Sequence, residues 1–275
     1  MANPRDAPAD APRGAASARS ILINSVVALL LGAAITVLVH ELAHWVTGAL
    51  LGSRSYLFSF GVTHEPPLTG GAAATAALAG PVVSLLVGSA MQILQPFRFR
   101  GDFAHLLWIW VACTSLMEAA TYLVITPFAG DTHTAAAALG WPSWVSWVAA
   151  AIGVLGMVGV AREWAIHSVR LCGHDLTRLR CFSWYPWLIA IPVQAGLALL
   201  MISVSRMQLT PAEQTVVIMA GMAQTVFAPM SIPFTRQSKE LEEPLQVKPV
   251  PWVGVAGFVA MVVFNFAISG GIGLG

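Results

Sequence analysis

The chain has 275 residues, of which 57% are hydrophobic and only 10% charged, against about 25% charged in ordinary globular domains, which excludes a mostly water-facing surface. The net charge of +1 excludes nucleic-acid binding through a strong basic field. Three cysteines, Cys113, Cys172 and Cys181, are too few to staple a secreted domain.

A mean hydropathy of +0.73 describes an all-α polytopic membrane protein. Residues 1–20, MANPRDAPADAPRGAASARS, have no apolar periodicity and read as a flexible polar tail. The apolar stretch after them is too long for the core of a cleavable signal peptide. Charge-free or nearly charge-free runs follow at Ser20–Ser53, Pro66–Phe97, Phe103–Gly130, Thr132–Ala161, Cys181–Ser205, Gln214–Thr235 and Pro249–Gly275. A membrane helix needs roughly 20 apolar residues, so the pattern predicts about seven transmembrane helices. Residues 21–135 then form a three-helix core and residues 136–275 the accessory helices. Pro192, Pro229 and Pro233 predict kinks in the fifth and sixth spans. Trp108, Trp110, Trp141, Trp144, Trp184, Trp187 and Trp252 fall near span ends, as interfacial belts do. With the N-terminus inside, only Arg54 and Arg206 lie in outward segments. That asymmetry predicts a cytoplasmic N-terminus and an outward C-terminus.

The first span carries His40-Glu41-Leu42-Ala43-His44, an H-E-x-x-H pattern. In a helix the two histidines share one face a turn apart and can reach one ion, while Glu41 can sit beside a metal-bound water. Each ionisable group in an apolar span costs several kcal/mol unless compensated, and a divalent cation compensates all three together. Catalytic Zn2+ typically has three protein ligands and a water. Asp131, at the end of the third run, is the expected third ligand, with His133 competing two residues on. Helices one and three both run outward, which puts His40, His44 and Asp131 at similar depth.

Ala79-Gly80-Pro81-Val82-Val83-Ser84 predicts either an interruption of the second helix or a plain proline kink. Gly80 admits close backbone approach, Pro81 frees a carbonyl, and Ser84 offers a hydroxyl to an oxyanion or substrate. Glu118, alone within the third span, is expected to face the bundle interior. There it is either a partner of a ligating histidine or a protonated packing residue. Residues 54–64, rich in β-formers, predict an extended stretch or hairpin between the first two spans, whose exposed edge could pair with an unwound substrate. Cys172-Gly173-His174 and Cys181 match no standard zinc spacing.

His40-Glu41-Leu42-Ala43-His44, Ala79-Gly80-Pro81 and Asp131 together resemble the site-2 protease family of intramembrane zinc metalloproteases. The resemblance covers the first half of the chain. Thr132 stands where the family has a glycine after the aspartate, and Ser84 where it often has asparagine. The resemblance implies a Zn2+-dependent endopeptidase of a bacterial plasma membrane acting on a transmembrane protein substrate within the lipid bilayer. In it Glu41 is the base and Zn2+ is held by His40, His44 and Asp131, beside a polar, water-admitting cavity between helices one to three. A metal-binding transporter or non-catalytic scaffold is the alternative. Seven scattered histidines argue against a di-iron centre.

Overall fold

The computed structural model describes residues 16–238 and 245–275. The chain is mostly helical. The helices are α1 (Ala18–Leu50), α2 (Gly70–Leu94), α3 (Phe103–Ile125), α4 (Asp131–Ala138), α5 (Ser143–Cys172), α6 (Leu176–Leu179) and α7 (Tyr185–Val204), the last two joined by a π-helical turn at Arg180–Trp184. The helices α8 (Pro211–Ala223), α9 (Phe227–Met230), α10 (Ile232–Thr235) and α11 (Trp252–Ile268) follow. Strands β1 (Arg54–Phe58) and β2 (Gly61–Glu65) separate α1 from α2, and β3 (Ile272–Leu274) follows α11.

The central helix is α1. It starts where the Ser17 hydroxyl accepts the Ser20 N–H at 3.1 Å, satisfying one otherwise unpaired donor of the first turn. Ser25, Ala28, Gly32, Thr36 and Gly48 are buried along α1, small residues that let neighbouring helices approach closely in lipid, with His40 and His44 between them. Thr36 Oγ1 lies 2.8 Å from Thr114 Oγ1 and 3.1 Å from Ser115 Oγ, tying α1 to α3. Gly32 abuts Trp110 and Val111, so numbers rise together along the two helices and they run parallel. Against α1, α2 runs the other way: Ala76 reaches His44 and Ser84 reaches His40.

Among the described residues, five helices are long and apolar enough to cross a membrane, counting Leu176–Val204 as one, and a sixth if the Glu213–Ala223 and Phe227–Thr235 pair, bent by 41°, is one span. The described residues thus give five or six of the expected seven. The run from Thr132 does not form one helix, because α4 ends before Gly140, whose φ is +63°, and α5 begins after Pro142. The last run yields only the 17-residue α11 and then a strand. Of the predicted tail, residues 1–15 lie outside the described residues, and 18–20 belong to α1.

The expected hairpin is the pair β1–β2, but the sheet has a third member and the order β2-β1-β3. Ser55, Tyr56 and Leu57 pair with Leu274, Gly273 and Ile272, so β1 is central and β2 and β3 form the edges. Trp45 donates its indole N–H to the Ser55 carbonyl at 2.9 Å, fixing the sheet to the end of α1. Trp110 is not part of an interfacial belt: it is fully buried, its ring 4.1 Å from Trp164 and 5.6 Å from Phe227. Trp144 and Trp252 are exposed, as lipid- or interface-facing indoles would be.

Candidate metal centre

Helices α1 and α4 bring three ligand atoms together. His40 Nε2 lies 3.0 Å from Asp131 Oδ2, His44 Nε2 lies 3.2 Å from the same oxygen, and the two Nε2 atoms are 2.9 Å apart. These three residues are the metal-capable group among the described residues. A tetrahedral ion with bonds of about 2.0–2.1 Å spaces its ligand atoms about 3.3 Å apart, so the three atoms are arranged nearly as one face of such a tetrahedron.

The protons on the imidazoles explain what that face needs. The Ala76 carbonyl can only accept, so His44 Nδ1–H donates to it at 2.7 Å. The Ser84 hydroxyl donates to Glu118 Oε2 at 2.6 Å. His40 Nδ1, 3.3 Å from Ser84 Oγ and 3.4 Å from Glu118 Oε2, therefore faces two acceptors and carries its proton there. In the neutral rings both Nε2 atoms are lone pairs. Two lone pairs and a carboxylate oxygen within 3.2 Å of each other repel unless a cation or extra protons join them.

Gly130 sets the position of Asp131. Its φ of +85° lies in the left-handed region, and a Cβ there would come within 2.8 Å of Ile125 Cδ1, so only glycine makes this turn without strain. Asp131 thus opens α4, where the helix dipole favours an anion, instead of ending α3. The Thr132 hydroxyl donates to the Tyr122 carbonyl at 2.6 Å, holding the turn.

On the opposite side Gly80 packs directly against the histidines. A Cβ there would collide with the Nε2 atoms of both. Pro81 does not interrupt the helix as expected: α2 is continuous through it, because neighbouring helices hold the flanking turns. Ser84, buried, spends its hydroxyl on Glu118 and His40. Glu118 is 7% exposed and inward-facing.

His133 turns away and donates its Nδ1–H to the Thr126 carbonyl at 3.0 Å, beside a small pocket lined by Trp141 and Trp147. Glu41, His44 and Asp131 border a cavity of about 1140 Å³. The cavity is not the expected polar space between the first three helices. Leu30, Val37, Leu197, Met201, Val217 and Phe258 make it largely apolar, and α7, α8 and α11 supply its far wall. The sheet reaches it through β2, where His64 accepts or donates to Ser55 Oγ at 2.8 Å. Burial lowers the His64 imidazole from its ordinary value.

Two contributors carry no sequence signal. One is the Ala76 carbonyl, a backbone group available on any residue. The other is Tyr122, whose ring stacks on His40 at 4.8 Å and 14°; it was legible only as an aromatic four positions after Glu118 on the third helix. Comparison with family models, curated proteins and solved structures finds no match to this chain.

Proposed function

We propose that the protein is an intramembrane metalloendopeptidase, with Zn2+ as its expected ion, that hydrolyses peptide bonds of membrane-embedded polypeptides. The single observation that carries this reading is the convergence of two imidazole lone pairs and the Asp131 carboxylate beside Glu41, at the edge of a large apolar cavity. The donor set of two imidazoles and a carboxylate suits Zn2+.

A divalent ion bound there would act as a Lewis acid and acidify a coordinated water. His40 and His44 hold their Nε2 lone pairs toward that position because their Nδ1 protons are committed to Glu118, Ser84 and Ala76. Glu41 accepts the water proton and returns it to the leaving amine. The apolar walls keep bulk water from the rest of the substrate, and the free edge of β2 borders the cavity, where an unwound stretch of substrate can add as a strand.

One observation favours a transporter instead. The break between α8 and α9 is of the kind that forms solute sites in transporters, which carry such breaks at matching positions in two repeats. Among the described residues there is a single bent pair. Glu41→Gln separates the readings. A protease keeps its metal and loses cleavage of single-span reporter polypeptides in liposomes, whereas transport or scaffolding survives the change. Metal analysis of the wild type, Asp131→Ala and His133→Ala tests the ligand set. Loss of metal only in Asp131→Ala is expected, and loss only in His133→Ala would refute the set.

A further inference from the structure

The cavity wall supplied by α7 and α8 holds two carboxamides in apolar surroundings. Gln194 on α7 and Gln224 at the end of α8 both line it. Gln224 is only 4% exposed. The Oε1 atoms of both are buried and have no hydrogen-bond partner among the described residues. Gln224 also begins the break at which the chain bends by 41° between α8 and α9. Non-helical backbone at membrane depth is tolerated where it lines a cavity, so the break and the unpaired acceptor fall at one place.

A buried acceptor without a donor is destabilising, and leucine of similar size would remove the cost. A ligand that brings N–H groups into the cavity would pair these oxygens. A membrane helix must unwind before its peptide bonds can be cut, and unwinding frees backbone N–H and C=O groups in an environment with little water. A carboxamide can both accept from the first and donate to the second. Resting on the protease reading above, we propose that Gln194 and Gln224 form a subsite that binds the unwound backbone of a substrate span. Their partner is thus a polypeptide with a locally non-helical stretch, recognised through its main chain and largely without regard to side-chain identity.

The test uses full-length Glu41→Gln protein in liposomes and two fluorescent single-span peptides. One is a Leu/Ala span with a central Gly-Pro pair, and the other is the same span without it. Gln194→Leu and Gln224→Leu are each expected to weaken binding of the Gly-Pro peptide about tenfold, the loss of roughly one well-made hydrogen bond or a little more. Weak binding of the uninterrupted span should be unchanged, and Gln224→Asn should recover part of the affinity. Both leucine variants should keep the wild-type metal content and unfold at the same or a higher temperature without peptide, which separates the effect from misfolding. In the active protein the same changes should raise KM for the Gly-Pro span more than they lower kcat. Leucine variants that bind the Gly-Pro peptide like their parent would overturn the subsite and show that cavity water alone meets these oxygens. Carboxamide-dependent binding by a wild type that never cuts the peptide would instead overturn the protease reading and leave the subsite standing.

Discussion

Adding one methyl group at Gly80 probes the metal centre from a residue that has no ligand atom. A Cβ there would lie 2.5 Å from His40 Nε2 and 2.6 Å from His40 Cε1, and would collide with His44 Nε2 as well. Carbon and nitrogen atoms in contact need about 3.5 Å, so the rings must retreat by about 1 Å. Metal–ligand distances tolerate about 0.2 Å, so both Nε2 atoms leave bonding range together. In the helix itself alanine is favoured over glycine by about 1 kcal/mol, so Gly80→Ala should fold. Metal affinity, measured by competition with a chromophoric chelator, should fall by more than about 100-fold, beyond the 10- to 100-fold typical of losing a partner behind a ligand. Gly196→Ala is the control, since a Cβ there meets nothing within 4 Å; it should keep full affinity. If Gly80→Ala also keeps full affinity, the ion does not sit between these imidazoles.

Glu118→Ala should weaken metal binding about 10- to 100-fold by freeing His40 Nδ1, while Glu118→Gln, whose carboxamide oxygen still accepts, should stay closer to wild type in the same competition assay. Trp110→Ala empties a position packed against Trp164 and Phe227 and should cost about 3–5 kcal/mol, seen as a lower midpoint in detergent unfolding, with metal content unchanged in the folded fraction. The pairing of β3 with β1 puts the last residues on the side where α1 ends. Accessibility reporters at the two ends of the chain should therefore label from opposite faces of the membrane; labelling from one face would mean that α1 does not cross it.

The two histidines and Glu41 were legible because helical spacing alone puts positions 40 and 44 on one face and because ionisable groups are rare in apolar spans. Asp131 was legible from depth, through the parallel course of the first and third helices, but its place at the start of a new helix was not. Lack of charge marks lipid compatibility, which is not the same as helical continuity. Gly140 and Pro142 carried the break inside the fourth run, and weighing them would have shortened it. Pro81 misled in the other direction: a proline signal predicts an interruption, whereas packing on both flanks keeps α2 whole. The strand β3 was hidden in Ser269-Gly270-Gly271-Ile272-Gly273-Leu274-Gly275, which has too few β-formers to signal pairing and depends on a partner more than two hundred residues earlier.

Charge balance narrows what can occupy the centre. Glu41, Glu118 and Asp131 meet two imidazoles in a space walled mainly by hydrocarbon, and each uncompensated ion there costs several kcal/mol. Extra protons on the histidines could join the three facing atoms, but a proton bridges one pair at a time. Three mutual separations of 2.9–3.2 Å leave at least one pair of like groups, two acceptors or two N–H donors, in contact. A divalent ion bonds to all three at once and offsets two of the carboxylates. The near-tetrahedral face, the glycine that yields to the rings and the anchored Nδ1 protons are thus three consequences of one requirement, a centre of positive charge between α1 and α4. Removing the metal by chelation should consequently loosen α4 more than α3, because Asp131 opens α4 while α3 is also tied to α1 through Thr36, Thr114 and Ser115. Faster amide exchange in Asp131–Ala138 than in Phe103–Ile125 after chelation would show this, and equal exchange in the two helices would mean that the charges are balanced without an ion.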